Sequence, residues 1–213
     1  MYEDIPDLNI FMMCEKLNRH ALIEIPPDFH VRSCKKDEFD IWLSFPFDTQ
    51  DEALQYHDYM LKYFKLVYSK KEELFYSKCL FICDKNDIPV ATCFLWKSYD
   101  EFNTIHWFKT LKNYEGVGIG RALLSFIMKD LKEDDFPVYL HTQPSSFKAI
   151  KLYSDFGFKI LTDGKYGNRK NDYKECLPIL KKYMTLKSFR LLEFSPAPAH
   201  FIKVTNSASI DEF

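Results

Sequence analysis

Three glycines at alternate positions, Gly116, Gly118 and Gly120, carry the clearest chemical signal in this chain. Glycine has no Cβ, so such a run lets the backbone curl until successive N–H groups converge. Where the turn opens a helix, the unsatisfied N–H groups of the first helical turn and the positive dipole end add to it. The product is a site for a phosphate or a pyrophosphate. Two common versions of that site do not fit. A kinase-type or GTPase-type loop needs Lys-Ser/Thr after its last glycine, and here Arg121-Ala122 follows Gly120. A dinucleotide fold needs G-x-G-x-x-G, and the spacing here is G-x-G-x-G.

The elements that must hold this loop follow from the periodicity of apolar residues. Residues 104–111 read as the strand that enters it. Residues 118–131 read as the helix that leaves it, with Ile119, Leu123, Phe126, Ile127 and Leu131 along one stripe. Upstream, residues 78–83 and 90–96 form a hairpin around the turn-rich Asp84-Lys85-Asn86-Asp87. Residues 51–68 place Leu54, Tyr59, Met60, Tyr63, Phe64 and Val67 at helical spacing, which predicts a long amphipathic helix. Downstream, 137–142 reads as a strand and 148–156 as a helix that stops at Gly157. Residues 158–161 are a short strand, 171–184 are mostly helical with Pro178 blurring the start, and 189–194 are a last strand. Near the N-terminus, 10–13 and 21–25 read as two strands, 29–32 as a short strand and 39–43 as a helix. The expected organisation is one domain over 1–213. Residues 1–28 are expected to be an extension packed on it, and the structure of the tail, 195–213, is left unassigned.

Composition removes several function classes. Twenty-nine basic and 31 acidic residues are mixed along the chain, giving a net charge of -2 and no electrostatic footprint for nucleic acid or an anionic membrane. No apolar run is long enough to span a bilayer. The opening Met1-Tyr2-Glu3-Asp4 lacks the order of a secretory signal, so the expected location is cytoplasmic. The six cysteines form no C-x-x-C pair, and Cys79 and Cys83 would share a face if both lay on a strand. They read as buried hydrophobes in a reducing compartment, with neither a disulfide nor a metal.

Residues 114–124, YEGVGIGRALL, resemble the central motif of GNAT acetyltransferases, R/Q-x-x-G-x-G/A. Residues 148–158, KAIKLYSDFGF, are similar to that family's A-I-x-L-Y-x-x-x-G-F segment, in the expected order. The resemblance is close over 90–160 and looser over 29–90. It implies an α/β (α+β) fold, a mixed, mostly antiparallel sheet flanked by helices. The sheet would splay between two central parallel strands, those of His106 and His141, with acyl-CoA in the gap. Two positions depart from the pattern. Glu115 stands where the family has Arg or Gln, which brings a carboxylate near a pyrophosphate. Ser146 stands where the family has Asn, and can still act as an N-cap.

The resemblance also implies a reaction: acetyl transfer from acetyl-CoA to a primary amine by direct attack, without a metal. This needs a neutral amine, an oxyanion donor and an acid for the leaving thiolate. Carried onto this sequence, the backbone of Phe108, Lys109 and Thr110 would hold the pantetheine and polarise the carbonyl. Glu115, Gly116, Val117, Gly118, Ile119, Gly120 and Arg121 would line the pyrophosphate, with Ser146, Lys148 and Ala149 beside the cofactor. Lys112, Arg121, Lys148 and Lys151 are the cations placed to meet the nucleotide phosphates. Tyr153 would be the acid. Ala149, Leu152, Tyr153 and Phe156 lie at i, i+3, i+4 and i+7, which turns Tyr153 inward. The base candidates are His106, then His141, then Glu101. Strand parity puts His106 on the face of Phe108 and Thr110. The acceptor, a small molecule or a peptide amine, is not encoded legibly. The expected assembly is a monomer or homodimer. Two alternatives stay open: a catalytically silent acyl-CoA-binding or sensor module of the same fold, and a binder of another nucleotide that reuses the glycine turn.

Overall fold

The longest helix begins where its sequence says it should. Thr49 accepts from the backbone N–H of Glu52, and the Glu52 carboxylate accepts from the N–H of Thr49, a reciprocal cap. In this computed structural model, which describes residues 5–213, that helix is the second of eight. Residues 1–4, on which the absence of a signal was argued, lie outside the described residues.

In chain order the strands are β1 (Ile10–Cys14), β2 (His30–Ser33), β3 (Leu80–Cys83), β4 (Pro89–Ser98), β5 (Phe102–Thr110), β6 (Val138–Thr142), β7 (Phe158–Leu161), β8 (Lys165–Tyr166), β9 (Arg169–Lys170) and β10 (Phe194–Ser195). The helices are α1 (Phe39–Ser44), α2 (Gln50–Val67), α3 (Glu72–Lys78), α4 (Ile119–Met128), α5 (Phe147–Asp155), α6 (Tyr173–Tyr183), α7 (Leu186–Arg190) and α8 (Ala199–Ser207). This is the expected mixed α/β class. Antiparallel pairing dominates, in β1 with β6 and β7, β2 with β3, β3 with β4, and β8 with β9, while β10 runs parallel to β7. Among the described residues, no helix is long and apolar enough to cross a membrane.

The chain divides into two compact units. One comprises Leu22–Trp96 and Ile105–Asp130. Its strands run in the order β5-β4-β3-β2, and its core is a cluster of rings: Trp42, Phe64, Tyr68, Phe75, Phe81, Phe94 and Trp96. The stripe on α2 supplies Met60 and Phe64 to it. Rings meet mostly edge to face, as Trp42 and Phe75 do at 4.9 Å, the arrangement their quadrupoles favour.

The other unit comprises residues up to Ala21, Lys97–Thr104 and Leu131–Phe213. Its strands run β10-β7-β1-β6. All five residues of β1 are buried, because β1 is paired on both sides, Met12 facing both Leu140 and Ile160. Residues 10–14 are therefore an interior strand, where an added extension was expected. Phe11, Tyr139, Tyr166, Phe201 and Phe213, with Leu161, make this unit's apolar core, with Tyr139 and Phe201 stacked at 3.9 Å.

Three local expectations are corrected, and the unassigned tail takes a defined structure. Residues 21–25 form no strand: a short 3-10 turn ends at Ala21, and the N–H of Ile23 bonds the Ser125 hydroxyl instead of a ladder partner. The segment read as a strand from residue 78 is helical α3 up to Lys78, and Cys79 caps that helix by donating to the Phe75 carbonyl. Of residues 189–194, Phe189 belongs to α7, started by Thr185, and only Phe194 enters β10. The tail contains α8, whose Phe201 is fully buried.

Candidate functional site

The glycine loop has the form the sequence implies. Gly116 and Gly118 take φ of +80° and +90°, a left-handed backbone that only glycine adopts without steric cost. Gly118 is the N-cap of α4 and has no side chain to accept from the first helical N–H groups, in contrast to Thr49 on α2. A Cβ at Gly116 would meet nothing within 4 Å. These features fit an anion that accepts from backbone donors. Glu115 is exposed, as a carboxylate beside such a site must be.

Gly120 does something different. A Cβ there would stand 3.1 Å from both Phe108 Cζ and Thr110 Oγ1. Its bare backbone lets α4 lie directly on β5, so the missing side chain has a packing role of its own. Behind α4, Ser125 donates from its hydroxyl to the Arg121 carbonyl at 2.8 Å and accepts from Ile23 at 3.0 Å.

Strand β5 is not regular. Trp107 has φ of +52° in the middle of the strand, a conformation that costs a residue with a Cβ roughly 1–2 kcal/mol. In a regular strand, residues 106 and 107 would point to opposite faces. Here both reach one atom. His106 Nδ1 lies 2.5 Å from Tyr68 Oη, and Trp107 Nε1 donates to the same oxygen at 2.9 Å. Burial, with Tyr63 alongside, holds the Tyr68 phenol well above its usual pKa. Strand parity therefore fails at Trp107. His106 turns into the aromatic cluster beside Tyr68 and Phe94, while Phe108 and Thr110 meet Gly120 of α4. A left-handed residue re-aims the side chains after it as a bulge does.

Lys109 and Lys112 converge on Asp48, in the connector between α1 and α2, at 2.6 and 2.8 Å. Partial burial pushes the Asp48 pKa up, but the two ammonium groups outweigh it and hold the carboxyl below its usual range. Asp48 also lines a cleft of about 410 Å³ with Phe45, Phe47, Ala53 and Leu111. Lys112, expected to meet a nucleotide phosphate, thus already has a carboxylate partner.

The second unit holds the remaining candidates. Tyr153 on α5 is buried, its ring 5.8 Å from Phe158. Ser146 is the N-cap of α5 but makes no side-chain cap bond, because the 3-10 turn of Pro144–Ser146 already leads into the helix. Lys148 is exposed and Ala149 half-buried. Lys151 is paired with Asp155 one turn on, another expected phosphate ligand with a carboxylate beside it. Glu101 pairs with His200 of α8.

His141 is held at both ring nitrogens. Arg169 donates from Nη1 to Nδ1 at 2.9 Å, so the ring proton sits on Nε2, which donates to Asn9 Oδ1 at 2.8 Å. Burial first, and the Arg169 charge second, press its pKa down to about 3. The lone pair a base would use is occupied by Arg169. Among the described residues, His30, Cys83 and Asp87 come close enough for a metal, but Asp87 is already held by Arg32 and Lys35.

The family model described as the acetyltransferase (GNAT) family matches residues 37–158. The chain belongs to the GNAT acetyltransferase family. One solved structure agrees at the level of fold. A GNAT-family acetyltransferase from Colwellia psychrerythraea superposes with a TM-score of 0.51 at 14% identity, over 73% of this chain and 53% of that one. A GCN5-related N-acetyltransferase from Sphaerobacter thermophilus gives a TM-score of 0.43 at 16% identity, over 64% and 43%. A protein of Pyrococcus horikoshii OT3 gives 0.49 at 26% identity, over 65% and 92%. The chain spans about half the length of the first of these relatives. No curated protein matches it.

On this GNAT chain, sequence reasoning missed Tyr68, Trp107, Asp48 and Arg169. Tyr68 closes α2 and reads as one more ring of an amphipathic stripe. Nothing in the type or spacing of Trp107 marks a left-handed backbone. The contacts of Asp48 and Arg169 lie 61 and 28 residues away in sequence, beyond any local pattern.

Proposed function

We propose that the protein transfers an acyl group, acetyl in the simplest case, from an acyl-CoA to a primary amine by direct attack. The observation that carries this reading is the left-handed pair Gly116 and Gly118 in front of α4, whose first N–H groups meet no capping side chain. In this reading the backbone from Gly116 to Arg121 holds the pyrophosphate, and that of Phe108, Lys109 and Thr110 faces the pantetheine thioester. The amine attacks the thioester carbonyl carbon, and the C–S bond breaks. The Tyr153 hydroxyl gives its proton to the departing thiolate, and the ammonium formed by attack loses a proton to a base.

The structure offers less for that base than the sequence implied. Arg169 occupies the His141 lone pair, and His106 sits at Tyr68 in the aromatic cluster. That observation favours a second reading, a silent acyl-CoA-binding module, for which only the cradle is needed. One assay separates the two: purified protein with acetyl-CoA, a panel of amino acids, polyamines and peptides, and detection of released thiol. Amine-dependent release supports transfer. Tight acetyl-CoA binding without release from any amine supports the module. Absence of acetyl-CoA binding overturns both.

A further inference from the structure

We propose that Tyr68 is a positioning residue whose hydroxyl locks the left-handed turn at Trp107 and so sets how β5 presents Phe108, Lys109 and Thr110 to a pantetheine thioester. The inference rests on the acyl-CoA reading above and adds to it the residue that caps α2, outside both family motifs.

The geometry supports it in three steps. First, the anchor is rigid. Tyr68 is fully buried, its N–H closes α2 on the Phe64 carbonyl at 2.8 Å, and Phe75, Trp96 and Phe94 pack its ring at 5.0, 4.9 and 5.6 Å. The position of its oxygen is thus set by the helix and the core, not by β5.

Second, the contact is selective for the kink. One oxygen takes both His106 and Trp107, consecutive residues that a regular strand sends to opposite faces. The double contact is compatible only with a strand that breaks its alternation between them, as Trp107 does at φ of +52°. A strained backbone persists where its surroundings over-determine it. Here the surroundings are this hydroxyl and the rings of Trp42 and Tyr63, edge-on to Trp107 at 5.8 and 5.2 Å.

Third, the consequence falls on the residues that follow. After the kink, Phe108 and Thr110 lie at Gly120 and Lys109 reaches Asp48. Without the hydroxyl, Nε1 of the half-buried Trp107 and Nδ1 of the buried His106 lose this partner. Relaxation of β5 toward regular alternation would then turn the backbone of 108–110 away from its present direction.

The test is Tyr68→Phe, which keeps the ring. Affinities are measured by calorimetry for two probes, acetyl-CoA and its nucleotide half, adenosine 3′-phosphate 5′-diphosphate. The glycine loop should hold the nucleotide half as before, whereas acetyl-CoA should bind about tenfold more weakly, the scale of one or two lost hydrogen bonds. Equal weakening of both probes, or of neither, overturns the proposal. Amide hydrogen exchange supplies a reading independent of any ligand. Residues 107–110 should exchange faster in the variant while 102–105 do not, and unchanged protection at 107–110 contradicts the clamp. Failure of the parent to bind acetyl-CoA sinks the functional reading alone, and the exchange experiment still decides on the clamp. If Tyr68→Phe does not fold, Trp107→Phe removes the indole donor with Tyr68 and His106 intact, and the same outcomes apply.

Discussion

Arg169 donates to Nδ1 of His141 at 2.9 Å and thereby fixes the imidazole as the tautomer protonated on Nε2. Protonating Nδ1 would break that bond and place a second cation against the guanidinium. The folded pKa of His141 is accordingly about 3, against about 6.5 for a free imidazole. Between those values the unfolded chain binds more protons than the folded one, so this group lowers stability as pH falls from about 6.5 toward about 3. Above that window its contribution is complete. His141→Gln should remove up to about 1.4 kcal/mol of pH dependence per unit. Urea unfolding of parent and variant between pH 7.5 and 4.5 checks this, and superimposable pH slopes would count against the assigned tautomer.

Gly120 is the contact point of α4 and β5. Gly120→Leu must displace Phe108 Cζ and Thr110 Oγ1, each already 3.1 Å from where a Cβ would stand. Overpacking of this kind destabilises by about 1–3 kcal/mol. Thermal unfolding should show the loss. A variant as stable as the parent would mean that α4 can move off the strand.

Much of this fold was legible because its elements carry local signals. The stripe through Met60 and Phe64 announced α2, and Gly157, at φ of +96°, announced the end of α5. The two left-handed glycines were legible for the same reason, since no other residue type suits the turn. What was not legible depends on distant partners. Residues 21–25 have the composition of a strand, but Ser125 on α4 takes the N–H of Ile23. Residues 10–14 looked peripheral by position, yet their place is fixed by strands more than 120 residues later in the chain. Parity arguments on β5 failed at Trp107 because alternation assumes an extended backbone at every residue, and the bond that breaks it comes from Tyr68, 39 residues earlier.

Tyr153 is a test of chemistry separable from packing. Its ring is buried against Phe158, so Tyr153→Phe keeps the contact and removes only the hydroxyl. If that hydroxyl protonates the leaving thiolate, turnover on a good amine should fall by about 10²–10⁴-fold with acetyl-CoA affinity unchanged. Turnover within a few-fold of the parent would leave Tyr153 a packing residue, and the acid would have to be sought elsewhere.

In the proposed function the backbone turn at Gly116 and Gly118 holds the pyrophosphate of an acyl-CoA. The measurement that meets it most directly is the dissociation constant for acetyl-CoA, by calorimetry, in the parent and in Gly116→Asp and Gly118→Asp, each first shown to be folded by circular dichroism. A carboxylate at either position puts an anion where the turn and the start of α4 would receive one. The parent should bind acetyl-CoA, and both variants should bind it at least about tenfold more weakly, a cost of about 1.4 kcal/mol or more. Folded variants that bind acetyl-CoA as tightly as the parent would contradict it.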